Sequence, residues 1–382
     1  MINNVEKVHT DKLVPLTSCA SCTTLINSEF QLLMINMSTS AHLNLSFGKN
    51  GITEFENTFR ESIEDCFSER LEETLRGKKI VFNLKGRKVV PVQGWRDFDQ
   101  GSTATIRVIQ PSKKSTLITA IDSSAIHLAG TEEGALYSAK SGIVVSSNKQ
   151  ILRHFRIGPM LMYLTESSLH NSRIDHKLAN LMLMDSNIAR RLIRIRLERA
   201  LQLELSYRLN ESLMLIDGSL RPSIFENSHH TIKKVIETST LNSNCVIGLC
   251  KSTCMRILDQ FEARLKKIPD PACIDTDCII KSLTRNTLGK NMLIKLGNNE
   301  TDHVLRADIC SANGNDLECL ERLIGNDIIF RCYPESLRIA HHISTFTNAE
   351  ISSLKGLVLR SYGVVEADRE DTRRHLLGAA FT

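Results

Sequence analysis

The chain has 382 residues, of which 42% are apolar and 24% charged; at about 150 residues per domain this length suggests two or three domains, or one large core with additions. The composition excludes global disorder and a low-complexity chain, and the lack of any apolar run of about 18 residues argues against a membrane-spanning helix. Lys and Arg total 48 against 43 Asp and Glu, a formal charge of +5, which permits nucleic-acid binding without demanding it. The opening residues show no basic segment followed by an apolar stretch, so the cytoplasm is the expected compartment. There are eleven cysteines. In a reducing compartment a disulfide framework is not expected. Only Cys19 and Cys22 have zinc-ribbon spacing, with no second CxxC to complete a site. Most thiols read as small buried apolar residues.

In chain order, helical spacing of Phe59, Ile63, Cys66 and Leu71 predicts a helix at about 55–77, stopped at Gly77. Short β-type runs follow at 78–84, 88–95 and 103–110. Lys85, Arg87, Lys88 and Arg96 lie among them with Trp95. This is read as a solvated strand face, with a nucleic-acid contact surface as the alternative. Residues 1–110 thus form an N-terminal extension, helical and then β-rich, and 111–382 the main domain. That domain opens with an apolar run, STLITAIDSS (115–124), ending in Asp122. Two strands joined by a turn at 131–134 follow, then a strand at 156–164. One long helix is predicted from about 174 to 210, rich in arginine and carrying Glu198. ESLMLIDGSLRP (211–222) repeats the first design: strand, then Asp217, then Gly-Ser. CVIGLCKST (245–253) is a strand entering a helix with Lys251 at the junction. Residues 268–300 read as less regular. A strand at 327–336 and a helix at 337–346 complete the pattern, with Pro334 placed to start that helix. The sequence has no repeat, Walker A loop, dinucleotide fingerprint or nucleophile elbow.

The order of acids is the feature that points to chemistry. Asp122 and Asp217 each end a strand, Glu198 lies on the helix between them, and His341 lies on a later helix. Strands paired in a sheet bring equivalent ends together, so such residues can gather around divalent cations. Phosphodiester hydrolysis places negative charge on attacking, leaving and non-bridging oxygens, which two divalent ions can stabilise. Carboxylates suit Mg²⁺ and Mn²⁺, and an imidazole tilts the preference toward Mn²⁺. Taken singly, each residue has a plainer explanation. Either Asp serves as a turn starter or helix cap. Glu198 pairs with Arg194 one turn away. Either His341 or His342 fits as a partly buried polar residue.

The pieces ITAIDSS (118–124), RLERALQLE (196–204), LMLIDGSL (213–220), VIGLCKST (246–253) and YPESLRIAHHIS (333–344) together resemble the NurA nucleases. These are archaeal DNA end-processing nucleases that work with the HerA hexameric translocase. The family usually has Asp-Gly-Ser at its first motif, where this chain has Asp122-Ser123-Ser124. The resemblance implies an α/β, RNase H-like core with a mixed sheet flanked by helices, and a homodimer. It implies a metal-dependent DNA nuclease, of single-strand endonuclease and 5′–3′ exonuclease type, that processes ends in double-strand-break repair with a HerA-type ATPase. The implied ligands for Mn²⁺ or Mg²⁺, two ions, are Asp122, Glu198, Asp217 and His341, with Tyr333 near the site. Spacing from Tyr333 selects His341 over His342. Lys251 is a candidate phosphate contact beside helix N–H groups, and Arg191 and Arg194 are candidate DNA contacts on the Glu198 side of the long helix. The alternatives are a non-catalytic DNA-binding or scaffold subunit with the same fold, and an RNase H-like enzyme acting on RNA or hybrids.

Overall fold

The structure is a computed structural model. It describes residues 75–77, 79–80, 105–172, 174–251, 258–283, 286–299 and 302–366. Cys19 and Cys22, the strand expected at 88–95 with its basic cluster, and most of the helix expected at 55–77 lie outside the described residues.

Strand β1 (Lys79–Ile80) pairs in parallel with β13 (Val365–Glu366). The main sheet is built from β2 (Ile106–Val108), β3 (Ile118–Gly130), β4 (Gly134–Ser147), β5 (Gln150–Thr165) and β6 (Leu213–Asp217). It is completed by β7 (Cys245–Cys250), β8 (Ala272–Asp275), β9 (Lys290–Lys295) and β10 (Val304–Cys310). Their order across the sheet is β2-β8-β9-β10-β7-β6-β3-β4-β5. The first long strands form an antiparallel meander, β3–β4–β5. Next come helices α1 (Glu166–Asn171), α2 (His176–Met184) and α3 (Ser186–Arg208), after which β6 returns parallel to β3. Helix α4 (Ile232–Leu241) then leads to β7, parallel to β6. Three antiparallel strands are thus followed by parallel strands reached through helices, and the mixed α/β sheet is flanked by helices as expected. Among the described residues no helix is long and apolar enough to cross a membrane.

Strand alternation decides what each face buries. Ile118, Ala120, Leu213, Leu215, Ile247 and Leu249 pack with Leu320 and Leu323 of α7 (Asp316–Asn326) and Leu337 and Ala340 of α8 (Glu335–Ser344). The intervening Thr119, Ile121, Met214 and Ile216 are equally buried. A strand hidden on both faces needs a second layer; α3 lies along β3 and packs on α4. Each fully buried aliphatic side chain contributes about 1.5–3 kcal/mol. Smaller helices α5 (Asp259–Lys266) and α6 (Asp277–Leu283) cover the β8–β9 side, and α9 (Asn348–Ser361) follows α8.

Four local expectations are corrected. The single helix predicted at 174–210 is two. Asp185 leaves helical geometry at φ −135°, closes α2 through its N–H to Leu181 O, and caps α3 by accepting from Asn187 N. Asp competes for backbone donors in this way and favours caps over helix interiors. Asp122 does not end its strand: pairing with β4 carries β3 on to Gly130 through a bulge near His127. The stretch 268–300 holds two strands of the sheet, because β8, of four residues, and β9, of six, pair with each other and β9 with β10; strands this short show little of a period. Finally, 327–336 is a hairpin of β11 (Ile329–Phe330) and β12 (Tyr333–Pro334), turning through Arg331 and Cys332 at φ 49° and 66°.

Candidate metal centre

Parallel pairing of β3 and β6 sets Ile118 against Leu213 and Ile121 against Ile216. Asp122 and Asp217 occupy the next step of that register, so both carboxylates leave the sheet at one place. β6 ends there, and the chain turns at Gly218 with φ 130°, a conformation only glycine adopts freely. Helix α8 lies on β3 and β4 and supplies His341.

Asp122 is buried. Its Oδ2 takes a hydrogen bond from Ser344 Oγ at 2.9 Å and lies 2.7 Å from His341 Nδ1. Asp217 is half-buried. Its Oδ2 pairs with Lys251 Nζ at 2.7 Å, and its Oδ1 accepts from the Tyr333 hydroxyl at 3.2 Å. Burial, and after it the charge of Asp217, pushes the Tyr333 phenol well above its ordinary range, so it stays protonated and donates. One ligand atom from each of Asp122, Asp217 and His341 lies within 4.8 Å of the others. Two carboxylates and an imidazole form a donor set suited to Mg²⁺ or Mn²⁺, and their charge and spacing fit such an ion.

Glu198 stands beside this group and not within it. It is buried on α3, with Oε1 accepting from Gln202 Nε2 at 3.0 Å and lying 3.5 Å from Arg199 Nη1. Burial raises its pKa to about 7; the Arg199 and Arg194 charges pull it down and the Asp122 charge pushes it up. Glu198 is therefore close enough to feel the centre while its own bonds run along the helix. Those bonds continue from Arg199 to Gln202 Oε1 at 2.6 Å and Glu226 Oε1 at 2.9 Å. Its contacts are thus with Gln202 and Arg199, where the sequence spacing suggested Arg194.

The other candidates separate. Lys251 follows β7 as expected, but the next described helix starts at Asp259; its contact is the Asp217 carboxylate. Arg191 and Arg194 are exposed on α3, and the Arg191 guanidinium lies 5.2 Å from the Phe225 ring centre. His342 is also exposed, its ring 6.4 Å from that of His341. Ser123, where the family usually has glycine, sits in regular strand with its Oγ 2.6 Å from Ser141 Oγ. Sequence reasoning missed Ser344, which follows His341 by three residues, one helical step, the signal that finds such partners. Gln202, four residues after Glu198, lies on the Glu198 side of the helix as that spacing implies.

A NurA domain matches residues 116–345, more than half of the chain and all of the residues that converge here. The chain belongs to the NurA family. It is also similar to the NurA nuclease from Sulfolobus solfataricus, with 15% identity over 82% of this chain and 94% of that one, at a TM-score of 0.42. No curated protein matches it. Within the NurA match, Asp122 lies near the start and His341 near the end, so the centre is assembled from both extremes of the domain.

Proposed function

We propose that this NurA-family chain is a divalent-metal-dependent deoxyribonuclease acting on single strands and DNA ends. The observation that carries the proposal is the convergence of Asp122, Asp217 and His341 at the shared end of two parallel strands. Those three residues would hold Mn²⁺ or Mg²⁺, with Glu198 poised behind Asp122. When bound, one or two such ions supply Lewis-acid stabilisation of the charge that develops on the phosphate oxygens.

The remaining groups suit a phosphodiester substrate. Lys251 is half-exposed and offers a cation at the rim of the centre. The Tyr333 hydroxyl keeps its proton and orients the Asp217 carboxylate. The Ser344 hydroxyl does the same for Asp122. Phosphate contacts of this kind position a strand without reading its sequence.

The test is cleavage of labelled single-stranded DNA with Mn²⁺, Mg²⁺ and EDTA arms, beside duplex, RNA and hybrid substrates. Metal-dependent cleavage of DNA is the expected result. Binding without hydrolysis would favour a non-catalytic subunit, and preference for RNA would move the substrate class. The sequence carries no P-loop, so a nuclease working along duplex DNA needs a motor from elsewhere. We extend the proposal to a homodimer acting with a HerA-type hexameric ATPase in end processing. Co-purification at micromolar concentration and low salt is the check.

A further inference from the structure

The β11–β12 hairpin is placed against the metal centre and carries features that the centre does not use. Its second strand holds Tyr333, whose hydroxyl bonds Asp217. Directly across the ladder from Tyr333 stands Phe330. Directly paired residues project from the same face of a hairpin, so the two rings share the side that leads to Asp217. Phe330 is 46% exposed. Its ring belongs to none of the buried apolar clusters among the described residues.

That ring is surrounded by cations. The Arg338 guanidinium lies 4.9 Å and the Arg331 guanidinium 5.4 Å from its centre. Lys251 Nζ lies 5.3 Å from the Tyr333 ring. Arg338 is also paired with Glu335 through Nε at 2.7 Å, which holds it in place over the ring. Arg331 and Cys332 occupy left-handed backbone at the turn. A two-residue hairpin of this type is normally made by Asn-Gly or a similar pair. Here the strained turn position holds an arginine whose head lies over Phe330.

We propose that Phe330, with Arg331 and Arg338, is a stacking platform that seats an unpaired nucleobase of single-stranded DNA beside the metal centre. An aromatic face offers stacking to any base; the base takes the place of a guanidinium over the ring, and the displaced guanidinium meets the adjacent phosphate. Charge complementarity selects this occupant: a ring ringed by arginines suits a polyanion carrying planar bases better than an apolar protein surface. In a duplex the base faces are already stacked on their neighbours, so the platform gives the site a preference for single strands. The inference rests on the nuclease reading for its substrate, but it concerns binding and is testable without turnover.

The full-length protein is titrated in EDTA with a short labelled oligothymidine and with an abasic strand of equal length. Tighter binding of the oligothymidine, by about tenfold, is expected of one stacked base. Phe330→Ala brings the ratio close to one while leaving the abasic affinity in place, and Phe330→Trp restores the ratio. Arg331→Gly weakens both strands alike and lowers the salt slope by roughly 0.7, as loss of a phosphate contact does. Thermal melting confirms that each variant is folded. An unchanged ratio in folded Phe330→Ala, or a wild-type protein that does not distinguish the two strands, overturns the platform. Cleavage in Mn²⁺ is read separately. A Phe330-dependent ratio in a protein that never cleaves supports the platform while removing the catalytic reading.

Discussion

Gly142 stands directly opposite Asp122 in the β3–β4 ladder, and α8 lies where its side chain would be. A Cβ placed on Gly142 meets Ala340 O at 2.5 Å and Ile343 Cβ at 2.8 Å. The missing side chain is what lets α8 settle on the sheet, and α8 carries both His341 and Ser344 to Asp122. Gly142→Ala is expected to push the helix outward, at about 1–3 kcal/mol of stability for an overpacked contact, and to weaken Mn²⁺ binding. Gly130→Ala is the control, since a Cβ on Gly130 meets nothing within 4 Å. Calorimetric titration with Mn²⁺ decides the matter: an affinity unchanged in Gly142→Ala would mean that helix position does not set the centre.

A folded protein that binds a ligand only in the native state gains stability by mass action, about 2.7 kcal/mol at a hundredfold excess over the dissociation constant. Saturating Mn²⁺ should therefore raise the melting temperature of the wild-type chain. Asp122→Ala and Asp217→Ala should lose that gain and abolish cleavage, because each removes a ligand and a charge. His341→Ala should damage cleavage far more than His342→Ala, since only the His341 ring contacts Asp122. Successive helical residues point about 100° apart. Equal losses in the two histidine variants would show that the imidazole does not act at this centre.

Asp122, Asp217 and His341 were legible before the fold because each is tied to a strong local pattern: an apolar strand, a Gly-Ser turn, a Tyr-Pro helix start. The succession of most strands and helices along the chain followed from the same patterns; their order across the sheet did not. Distances across the sheet were not legible. Nothing local to ITAIDSS tells that β3 continues past Asp122, because the pairing partner that holds it, β4, is fixed only on folding. Glu198 shows the same limit. Its spacing from Arg194 was visible, but its actual partners depend on which way α3 turns its polar side chains, and that is set by tertiary packing. Gly142 reads as an ordinary strand glycine until α8 is seen above it. The turn at Arg331 and Cys332 had no glycine or asparagine to announce it, so 327–336 read as one strand.

Asp327 ends α7 and is almost fully buried, accepting from Ser336 Oγ at 2.5 Å and from Ile328 N at 2.9 Å. It ties α7 to the start of α8. Burial pushes its pKa up to about 6 from an ordinary value of 3.8, with the hydrogen bonds from Ser336 and Ile328 pulling the other way. A raised acid favours folding most when protonated in both states, below about pH 4. The unfolded chain ionises first as pH rises, so this contribution is lost between about pH 4 and pH 6. Asp327→Asn removes the titration. Relative to wild type, the variant should gain on the order of 3 kcal/mol from pH 4 to pH 7, at 1.36 kcal/mol per pKa unit. Denaturant melts across that range test it; parallel stability curves for the two proteins would show that Asp327 does not titrate in the folded state as described.

Arg191 and Arg194 stand two turns and one turn before Glu198 on α3, and both are exposed. Arg194 also lowers the Glu198 pKa, which places its charge within reach of the candidate centre. DNA approaching that side meets both guanidiniums. Contacts of this kind release counterions from the strand, and each one contributes roughly 0.7 to the slope of log affinity against log salt for single strands. The plainer account leaves Arg191 resting on Phe225 and Arg194 in solvent, with no role in binding. The two accounts part in an Arg191→Ala/Arg194→Ala variant titrated with single-stranded DNA over a salt series, with Ca²⁺ in place of Mn²⁺ to suppress turnover. Loss of both contacts should weaken binding at low salt and flatten the slope by roughly 1.4, twice the single-contact value. The two lines should converge as salt rises, because screening removes the same contribution that the substitutions do. If affinity and slope both match wild type, the arginines belong to the solvated side of α3, and the strand reaches the carboxylates past Lys251 instead.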